Sequence, residues 1–464
     1  MKRNLIALFG LALSGCVVGP DYVSPAPNQP AQVPFSQAGA PGFSPAEPPA
    51  DWWRLFNQPV VDRLVGEALA ANTDLRVAAA NLRQARAVLR ETRANRLPST
   101  DISASAGYAR QPGGAEGESY DAGLDLGYQV DLFGRIARAI QAGRADVQAT
   151  QATYDLTRVT VVAETIRAYA DACAAGRQLA VANESLRVQE QTFDLTRRLE
   201  AGGRGTGLDT SRAAAQLEQV RSDIPNFEAG RKAALFRLAV LTGKPPADFP
   251  ADVAACNTPP TVTSPIPVGD GAALLARRAD VRAAERRLAA ATARVGVATA
   301  ELYPNITIGG SVGSTAGSVG DLFSNSGFRF SLGPLISWSF PNTSVARAHI
   351  AQAEASADAA LAEFDGAWLA ALRDTETALA NYVAQGTRVE TLRRARTQSQ
   401  EAARIARLRY QQGAESFQIV LDAERSLAAS EALLAQAQAQ FSDATVTLFL
   451  ALGGGWQQPV PAAG

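Results

Sequence analysis

The sequence predicts a mainly α-helical chain that also contributes strands to a membrane β-barrel. Three observations lead to this fold class. The chain repeats itself with a period of about 200 residues. Its long helical runs have the three-and-four spacing of coiled coils, and each repeat contains two segments in which apolar and polar residues alternate. A tandem-duplicated subunit with four β-strands and long coiled-coil helices follows.

The N-terminus has the features of a bacterial targeting segment. Two basic residues precede an apolar run over residues 5–13, which is shorter than the roughly 20 helical residues needed to cross a hydrocarbon core. The run ends in Leu13-Ser14-Gly15-Cys16, which resembles a lipobox, whose cysteine is cleaved at its amino side and acylated. We therefore expect a signal peptide over residues 1–15 and a lipid anchor on Cys16. A plain secretory signal is the alternative. An aspartate directly after the acylated cysteine marks a lipoprotein for retention in the inner membrane. The valine at position 17 therefore indicates the outer membrane.

The composition limits the classes of function. The formal net charge of −1 offers no basic surface for nucleic acid. Hydrophobic residues make up 47 %, yet after the signal no apolar window reaches the roughly 18 residues of a membrane-spanning helix. The single histidine, His349, excludes a His-rich metal site. We expect no metal and no cofactor.

Two cysteines remain after Cys16. Cys173 and Cys256 lack CxxC spacing, but a disulfide between them is possible in the oxidising periplasm. Cys173 also fits a coiled-coil seam, where it would be a small buried apolar residue. The seam favours the second interpretation, although the sequence does not show which cysteines are close in space.

The duplication is visible as identical residues at a fixed offset of 206. The matching pairs are Asp74/Asp280, Arg76/Arg282, Ala78/Ala284, Leu82/Leu288, Ala85/Ala291, Ala87/Ala293, Ala94/Ala300 and Pro98/Pro304. Further along, Leu208-Asp209 matches Leu421-Asp422 at an offset of 213. We divide the mature chain into an N-terminal segment, a first repeat, a Pro/Thr-rich linker, a second repeat and a C-terminal tail: 16–60, 61–244, 245–268, 269–455 and 456–464.

The longest helical runs extend from about Ile136 to Glu200 and from about Val345 to Gln412. The first would be about 95 Å long as one helix. Such lengths indicate a coiled coil or a helical barrel rather than a compact globule. Apolar residues recur in supercoil seams, which include Val159, Val162, Ile166, Tyr169, Cys173 and Gly176; Leu361, Phe364, Trp368 and Ala371; and Val420, Leu427, Leu434, Phe441 and Leu448.

Between the helices the period changes to two, over residues 102–108, 120–132, 305–312 and 328–340. This pattern is typical of membrane-barrel strands, with the apolar face toward lipid and the polar face toward the lumen. A half-buried antiparallel sheet shows the same alternation and is the alternative. Four strands cannot close a barrel, and lipid does not tolerate open edges. The chain must therefore oligomerise if it inserts.

Several motifs occur in order along nearly the whole chain. They are Cys16-Val17-Val18-Gly19-Pro20-Asp21-Tyr22, Trp52-Trp53 with Phe56, Asp74-Leu75-Arg76, Asp131-Leu132-Phe133-Gly134-Arg135, Asp223-Ile224-Pro225, Arg409-Tyr410 with Gly413, and Val420-Leu421-Asp422-Ala423. Together they resemble the TolC-like outer-membrane efflux proteins, in the lipoprotein subgroup often labelled NodT.

This resemblance implies a homotrimer whose subunits share one α/β barrel. It also implies a periplasmic adaptor and an inner-membrane transporter of the RND class as partners, with outer-membrane lipid around the barrel. The chain would then be the exit duct of a tripartite pump. It would passively export small molecules such as drugs or metals and perform no chemistry.

The resemblance also implies where the functional residues lie. The helix tips, 201–207 and 411–417, would close the periplasmic end and dock the adaptor, with glycines for tight helix reversal at Gly202, Gly203, Gly205, Gly207 and Gly413. The gate would use Tyr410 and Asp422. Ile419 and Glu415 depart from the family pattern, which has an aspartate and an arginine at these positions. A solvated helix residue is the alternative for Asp422.

Three strand aspartates are expected to line the barrel lumen: Asp121, Asp125 and Asp131. Their alternative placement is in loops or on the outer surface. An enzyme is not expected, because the sequence lacks the histidines and clusters of metal ligands that such chemistry uses. The glycine-rich stretch 202–207 is not a phosphate loop, because no strand precedes it and no GK[ST] follows. A type I protein-secretion duct and a structural coiled-coil lipoprotein remain as alternative functions.

Overall fold

The computed structural model describes residues 17–25, 35–110 and 116–454. Cys16, the expected signal peptide and the C-terminal tail lie outside the described residues. Within them the chain forms nine α-helices and six strands. The helices are α1 Pro59–Ala71, α2 Thr73–Ala94, α3 Arg135–Ala201, α4 Gly207–Leu241, α5 Ala251–Ala254, α6 Gly271–Arg277, α7 Ala279–Thr299, α8 Ser344–Gln411 and α9 Phe417–Ala451. The strands are β1 Phe43–Ser44, β2 Ser99–Arg110, β3 Glu116–Val130, β4 Ile266–Pro267, β5 Asn305–Ala316 and β6 Phe328–Ser337.

The duplication predicted from the sequence is visible in the element lengths. Strands β2 and β5 have 12 residues each, helices α4 and α9 have 35 each, and helices α3 and α8 have 67 and 68. The two long helices begin and end within one residue of the predicted runs. Among the described residues, no helix is both long and apolar enough to cross a membrane.

Residues 80–152 and 282–367, together with the described residues 17–25, form one compact unit. It contains an antiparallel sheet in the order β2-β3-β5-β6, so the two repeats meet at the β3/β5 pair. The helical part of this unit packs in small clusters around Leu89 with Ile136 and Ile140, and around Ala145 with Ala289 and Ala290.

The sheet has one apolar and one polar face, as the alternation predicted. The register places Ile102 opposite Leu124, Leu124 opposite Val312, and Val312 opposite Phe330. Much of this apolar row is bare, with Ile102 87 % and Phe330 76 % exposed. Strand β6 ends at Ser337, earlier than predicted. The aromatic rings at positions 338 and 340 lie beyond the strand and stack on each other at 4.7 Å.

The other unit consists of residues 27–79, 153–281 and 368–464, of which 35–79, 153–281 and 368–454 are described. Its main core surrounds Trp52, which is fully buried and stacks on Phe449 with ring centroids 4.6 Å apart. Helix caps define where helices begin. For example, Asn72 Oδ1 accepts hydrogen bonds from the backbone amides of Asp74 and Leu75, at 2.9 and 3.2 Å.

The expected linker over residues 245–268 packs against this second unit instead of running free. It contains helix α5 and strand β4, which pairs with β1 in parallel. A disulfide joins Cys256 in this stretch to Cys173 on α3. The interpretation of Cys173 as an unpaired seam residue is therefore wrong, because the packed stretch brings Cys256 to within 4.8 Å of it, Cα to Cα. At Gly176, one turn further along α3, an added Cβ would lie 2.1 Å from the Cys256 carbonyl oxygen, so the backbones approach too closely for any larger residue.

Candidate functional site

Two helix hairpins carry most of the residues that the sequence singled out. The first tip is the turn over residues 202–206 between α3 and α4, and the second tip is the turn over 412–416 between α8 and α9. In each turn one glycine adopts a left-handed conformation, with φ of +68° at Gly203 and +72° at Gly413. A side chain would strain the backbone at both positions, which explains the choice of glycine.

The two tips have the same backbone hydrogen bonds. The amide of Gly203 donates to the Glu200 carbonyl at 2.9 Å, and the amide of Gly413 donates to the Tyr410 carbonyl, also at 2.9 Å. Thr206 precedes α4 as Ser416 precedes α9. These bonds place Glu200 and Tyr410 at equivalent positions of the two repeats.

The structure corrects one detail of the duplication near the tips. The amide of Asp209 donates to the Thr206 carbonyl at 3.0 Å, and the amide of Ile419 donates to the Ser416 carbonyl at 3.2 Å. Asp209 is therefore equivalent to Ile419 and not to Asp422. The Leu-Asp match at an offset of 213 is wrong as a structural alignment, because it shifts the chain by almost one helical turn.

Tyr410 is half-buried in a cluster where four helices of the tips meet. Its ring lies 5.7 Å from that of Phe417, and both pack with Ala213, Ala406, Val420 and Leu421. Burial and the nearby charge of Asp209 raise the pKa of the Tyr410 hydroxyl. The phenol is therefore neutral in the periplasmic pH range, and its ring stabilises the second tip through apolar contact.

Asp422 lies on the opposite side of α9 from this cluster. Its neighbours Val420 and Leu421 are 2 % and 3 % exposed, whereas Asp422 itself is exposed. Its backbone carbonyl accepts a hydrogen bond from Ser426 at 2.9 Å. The structure thus separates the two expected gate residues, with Tyr410 in the apolar cluster and the Asp422 carboxylate on the free face of the helix.

Glu424 was not identified from the sequence, although it is the buried acid of the second tip. Its carboxylate accepts hydrogen bonds from Thr192 at 3.0 Å and from Gln189 at 3.2 Å, both on α3. The Arg407 guanidinium on α8 lies 3.8 Å away. Burial raises the pKa of Glu424. A step of four from Val420 followed by a step of three to Leu427 places Glu424 in the seam, and this was the missed signal.

The polar face of the sheet carries two of the three strand aspartates. Asp121 accepts hydrogen bonds from Thr315 at 2.6 Å and from Arg329 at 2.9 Å, so strands β3, β5 and β6 are tied across this face. Asp125 lies directly opposite Asp101 of strand β2. Arg329 and Asp101 were missed, because only strand register shows that they share the face and height of the expected aspartates.

The third aspartate has a different role from the expected one. Asp131 lies just beyond the end of β3, and its two carboxylate oxygens accept hydrogen bonds from the backbone amides of Ile136 and Ala137, at 2.9 and 2.8 Å. It therefore caps the N-terminus of α3, where its negative charge also interacts favourably with the helix dipole.

Cys16, the expected lipidation site, lies outside the described residues. Within the described ranges, no group of three or more His, Cys, Asp or Glu side chains is arranged to hold a metal ion.

The geometry agrees with comparisons to known proteins. The family described as "Outer membrane efflux protein" matches residues 64–244 and 272–454, once in each repeat. Nodulation protein T of Rhizobium leguminosarum bv. trifolii is 30 % identical, over 100 % of this chain and 99 % of that protein. Outer membrane protein OprJ of Pseudomonas aeruginosa is 32 % identical, over 97 % and 95 %. A solved structure of the outer-membrane channel OprN has a TM-score of 0.90 and 36 % identity, over 96 % of this chain and 100 % of that one.

The chain is thus an outer-membrane channel protein with a duplicated, mainly α-helical subunit and a four-stranded barrel segment. It belongs to the outer membrane efflux protein family, as its motifs predicted. The family and these neighbours are channel proteins rather than enzymes.

Proposed function

We propose that the chain is the exit duct of a tripartite efflux system. It would passively release small molecules, such as drugs or metals, that an inner-membrane RND-type pump and a periplasmic adaptor deliver. The observation that carries this proposal is the sheet, whose bare apolar face suits lipid and whose opposite face is lined by polar groups that suit a water-filled lumen. Membership of an efflux family supports the direction of transport.

The barrel is completed by further copies of the chain. Strands β2 and β6 are the outer strands of the sheet, and each pairs on one side only. Open strand edges are not tolerated in the hydrocarbon region, because their backbone groups would lack partners. Three subunits with four strands each would close such a barrel without an edge. The Asp121, Arg329, Asp101 and Asp125 side chains would then recur around the lumen.

The tips supply the closure and the docking surface of the duct. The second tip combines an apolar lock, built around Tyr410 and Phe417, with the exposed carboxylate of Asp422. In a trimer the three Asp422 carboxylates would form an acidic ring, which favours cations. The glycine turns offer backbone that an adaptor helix could approach closely; it is exposed at Gly202, Gly203, Gly207 and Gly413 and partly exposed at Gly205.

The proposal also covers how the N-terminus is processed and where the two repeats begin and end. A signal peptide over 1–15 would be removed and Cys16 acylated, which anchors the chain to the outer membrane from the periplasmic side. The repeats would extend over 61–244 and 269–455, joined by the docked stretch 245–268.

The direct test is to purify the mature protein, measure its mass in detergent and record its conductance in planar bilayers. A trimer with small, cation-selective openings is expected. A folded, membrane-inserted monomer that never conducts would contradict the duct and indicate a structural coiled-coil lipoprotein instead.

A further inference from the structure

The segment that directly follows Cys16 lies in a groove on the helices below the sheet. The groove is formed by the corner between β3 and α3, by α3 itself and by α7, and we call it the N-terminal groove; its residues are Phe133, Gly134, Arg138, Gly296, Glu285 and Arg286. The backbone amide of Val18 donates to the Phe133 carbonyl at 3.2 Å. The start of the segment is therefore fixed three residues beyond the end of β3.

Arg138 is the main contact of this groove. Its guanidinium donates to the carbonyl oxygens of Val18 and Gly19, both at 3.0 Å, and to the Asp21 carboxylate at 2.8 Å. The side chain is only 3 % exposed. A buried guanidinium is costly unless its N–H groups have partners, and the segment supplies three of them. The burial of Arg138 thus depends on the segment being in place.

Three glycines allow the segment to approach this closely. An added Cβ at Gly19, whose φ is +85°, would lie 2.4 Å from the Gly296 Cα. At Gly296 it would lie 2.8 Å from the Arg138 side chain, and at Gly134 it would lie 2.8 Å from Val17. Contacts of this length exclude any residue with a Cβ on either side. The segment and the groove are complementary at the level of the backbone.

A second set of contacts lies further along the segment. The Tyr22 hydroxyl donates to Glu285 at 2.8 Å, and the Ser24 hydroxyl donates to the same carboxylate at 3.1 Å. Arg286 lies over the Tyr22 ring, 5.5 Å from its centroid. Burial and the hydrogen bond to Glu285 raise the pKa of Tyr22 to about 12, so the hydroxyl stays a neutral donor.

We propose that the N-terminal groove is a docking site for the mature N-terminus, and that Arg138 is the positioning residue which sets where the lipid anchor enters the membrane. Val17, the residue that follows Cys16 in the chain, lies against Gly134 at the β3/α3 corner. An acyl anchor on the preceding residue would therefore enter the bilayer beside the sheet of the same chain. This inference rests on the proposed acylation of Cys16 and goes beyond it.

Limited chymotrypsin digestion of outer-membrane vesicles tests the docking, because cleavage after Tyr22 requires the segment to leave the groove. The variants are Arg138→Ala and Gly19→Ala, with Arg177→Ala as the matched control. Arg177 is an exposed arginine on the same helix and lies outside the N-terminal groove. Cleavage should be at least about tenfold faster in Arg138→Ala than in the wild type, because the cleavage rate follows the undocked population. Arg177→Ala should match the wild type.

Gly19→Ala guards against a folding artefact, since Gly19 lies outside all helices and strands. The alanine would block docking through its contact with Gly296 and through backbone strain at a φ of +85°. It should also be cleaved faster. Equal cleavage of all four proteins would overturn the docking proposal. Palmitate labelling is measured in parallel and should be equal in all four. Absence of label from the wild type, with the cleavage difference intact, would overturn the lipid anchor and leave the docking in place.

Discussion

The two helix tips share one backbone conformation but carry different side chains. The shared turn hydrogen bonds and the equal helix lengths give the register between the two tips. The equivalent pairs, first tip before second, are Glu200/Tyr410, Gly207/Phe417, Arg212/Asp422 and Ala214/Glu424. The aromatic pair and the buried acid thus occur only in the second tip. Where an aspartate is exposed on the second tip, the first has an arginine.

This difference shows that the two copies kept the same turn while the side chains around it diverged. The turn is fixed by hydrogen bonds and by a left-handed glycine, which any sequence must satisfy. The side chains around the turn depend on the local packing and charge, which differ between the repeats. The second tip contributes the aromatic pair of the shared apolar cluster, whereas the turn of the first tip is mostly polar and exposed.

The largest expected effect is the loss of the aromatic lock. Phe417 is 4 % exposed, and truncating a buried phenylalanine typically costs about 3–5 kcal/mol. Phe417→Ala should therefore strongly speed hydrogen exchange at the Gly413 amide, which is bonded to the Tyr410 carbonyl. Leu208→Ala in the first tip is the control, because Leu208 is 59 % exposed and its loss should have little effect. Equal exchange rates in both variants would contradict the lock.

The next effect concerns the buried acid. Glu424→Ala removes the acceptor of Thr192 and the charge partner of Arg407, and leaving such donors unpaired costs about 1–3 kcal/mol. Thermal unfolding measured by circular dichroism should show a lower midpoint. Glu200→Ala, which removes an exposed glutamate from the first tip, should leave the midpoint unchanged.

The same residue gives a pH dependence. Burial raises the pKa of Glu424, so the folded tip favours the protonated carboxyl. The stability it contributes is fully present below the ordinary pKa of glutamate and is lost as the pH rises through the raised value. Glu424→Gln cannot titrate, so its stability relative to the wild type should increase as the pH rises above the ordinary pKa of glutamate. A difference that stays constant with pH would show that Glu424 does not titrate in this range.

The smallest effect is expected for the ion pair at the turn itself. Arg409 and Glu415 are 3.7 Å apart, and the Arg409 side chain is 60 % exposed. Such pairs contribute about 0.5 kcal/mol or less after solvent screening. Glu415→Ala should therefore shift the unfolding midpoint no more than Arg204→Ala in the first tip does. A clearly larger shift would mean that Glu415 has a role which this geometry does not show.

Much of the fold could be predicted from the sequence, because periodicity is a local property. The two long helices and all four barrel strands followed from spacings of 3.5 and two residues. Register is not local, so the Asp121–Arg329 pair and the Asp101–Asp125 juxtaposition were not predicted. Asp131 was placed on the strand because the alternation continues through it, whereas the start of α3 recruits it as a cap.

The structure has helix turns at both predicted tips, with Gly203 and Gly413 in left-handed conformations. The roles of the tips in closure and docking stay predictions, and the resemblance treats Tyr410 and Asp422 as one gate. The structure places Tyr410 in a core and Asp422 on a free face. Glu424 and Arg138 were missed for the same reason: a charged residue in an otherwise apolar seam is recognised as structural only when its partners are known.

Single-channel conductance of three proteins tests the asymmetry of the tips most directly: the wild type, Asp422→Ala and Arg212→Ala. Asp422 and Arg212 occupy equivalent positions, so each variant removes one charge from the same place on one tip. We predict larger openings with weaker cation selectivity in Asp422→Ala alone, with Arg212→Ala matching the wild type. Equal changes in both variants, or no change in either, would contradict the assignment of closure to the second tip.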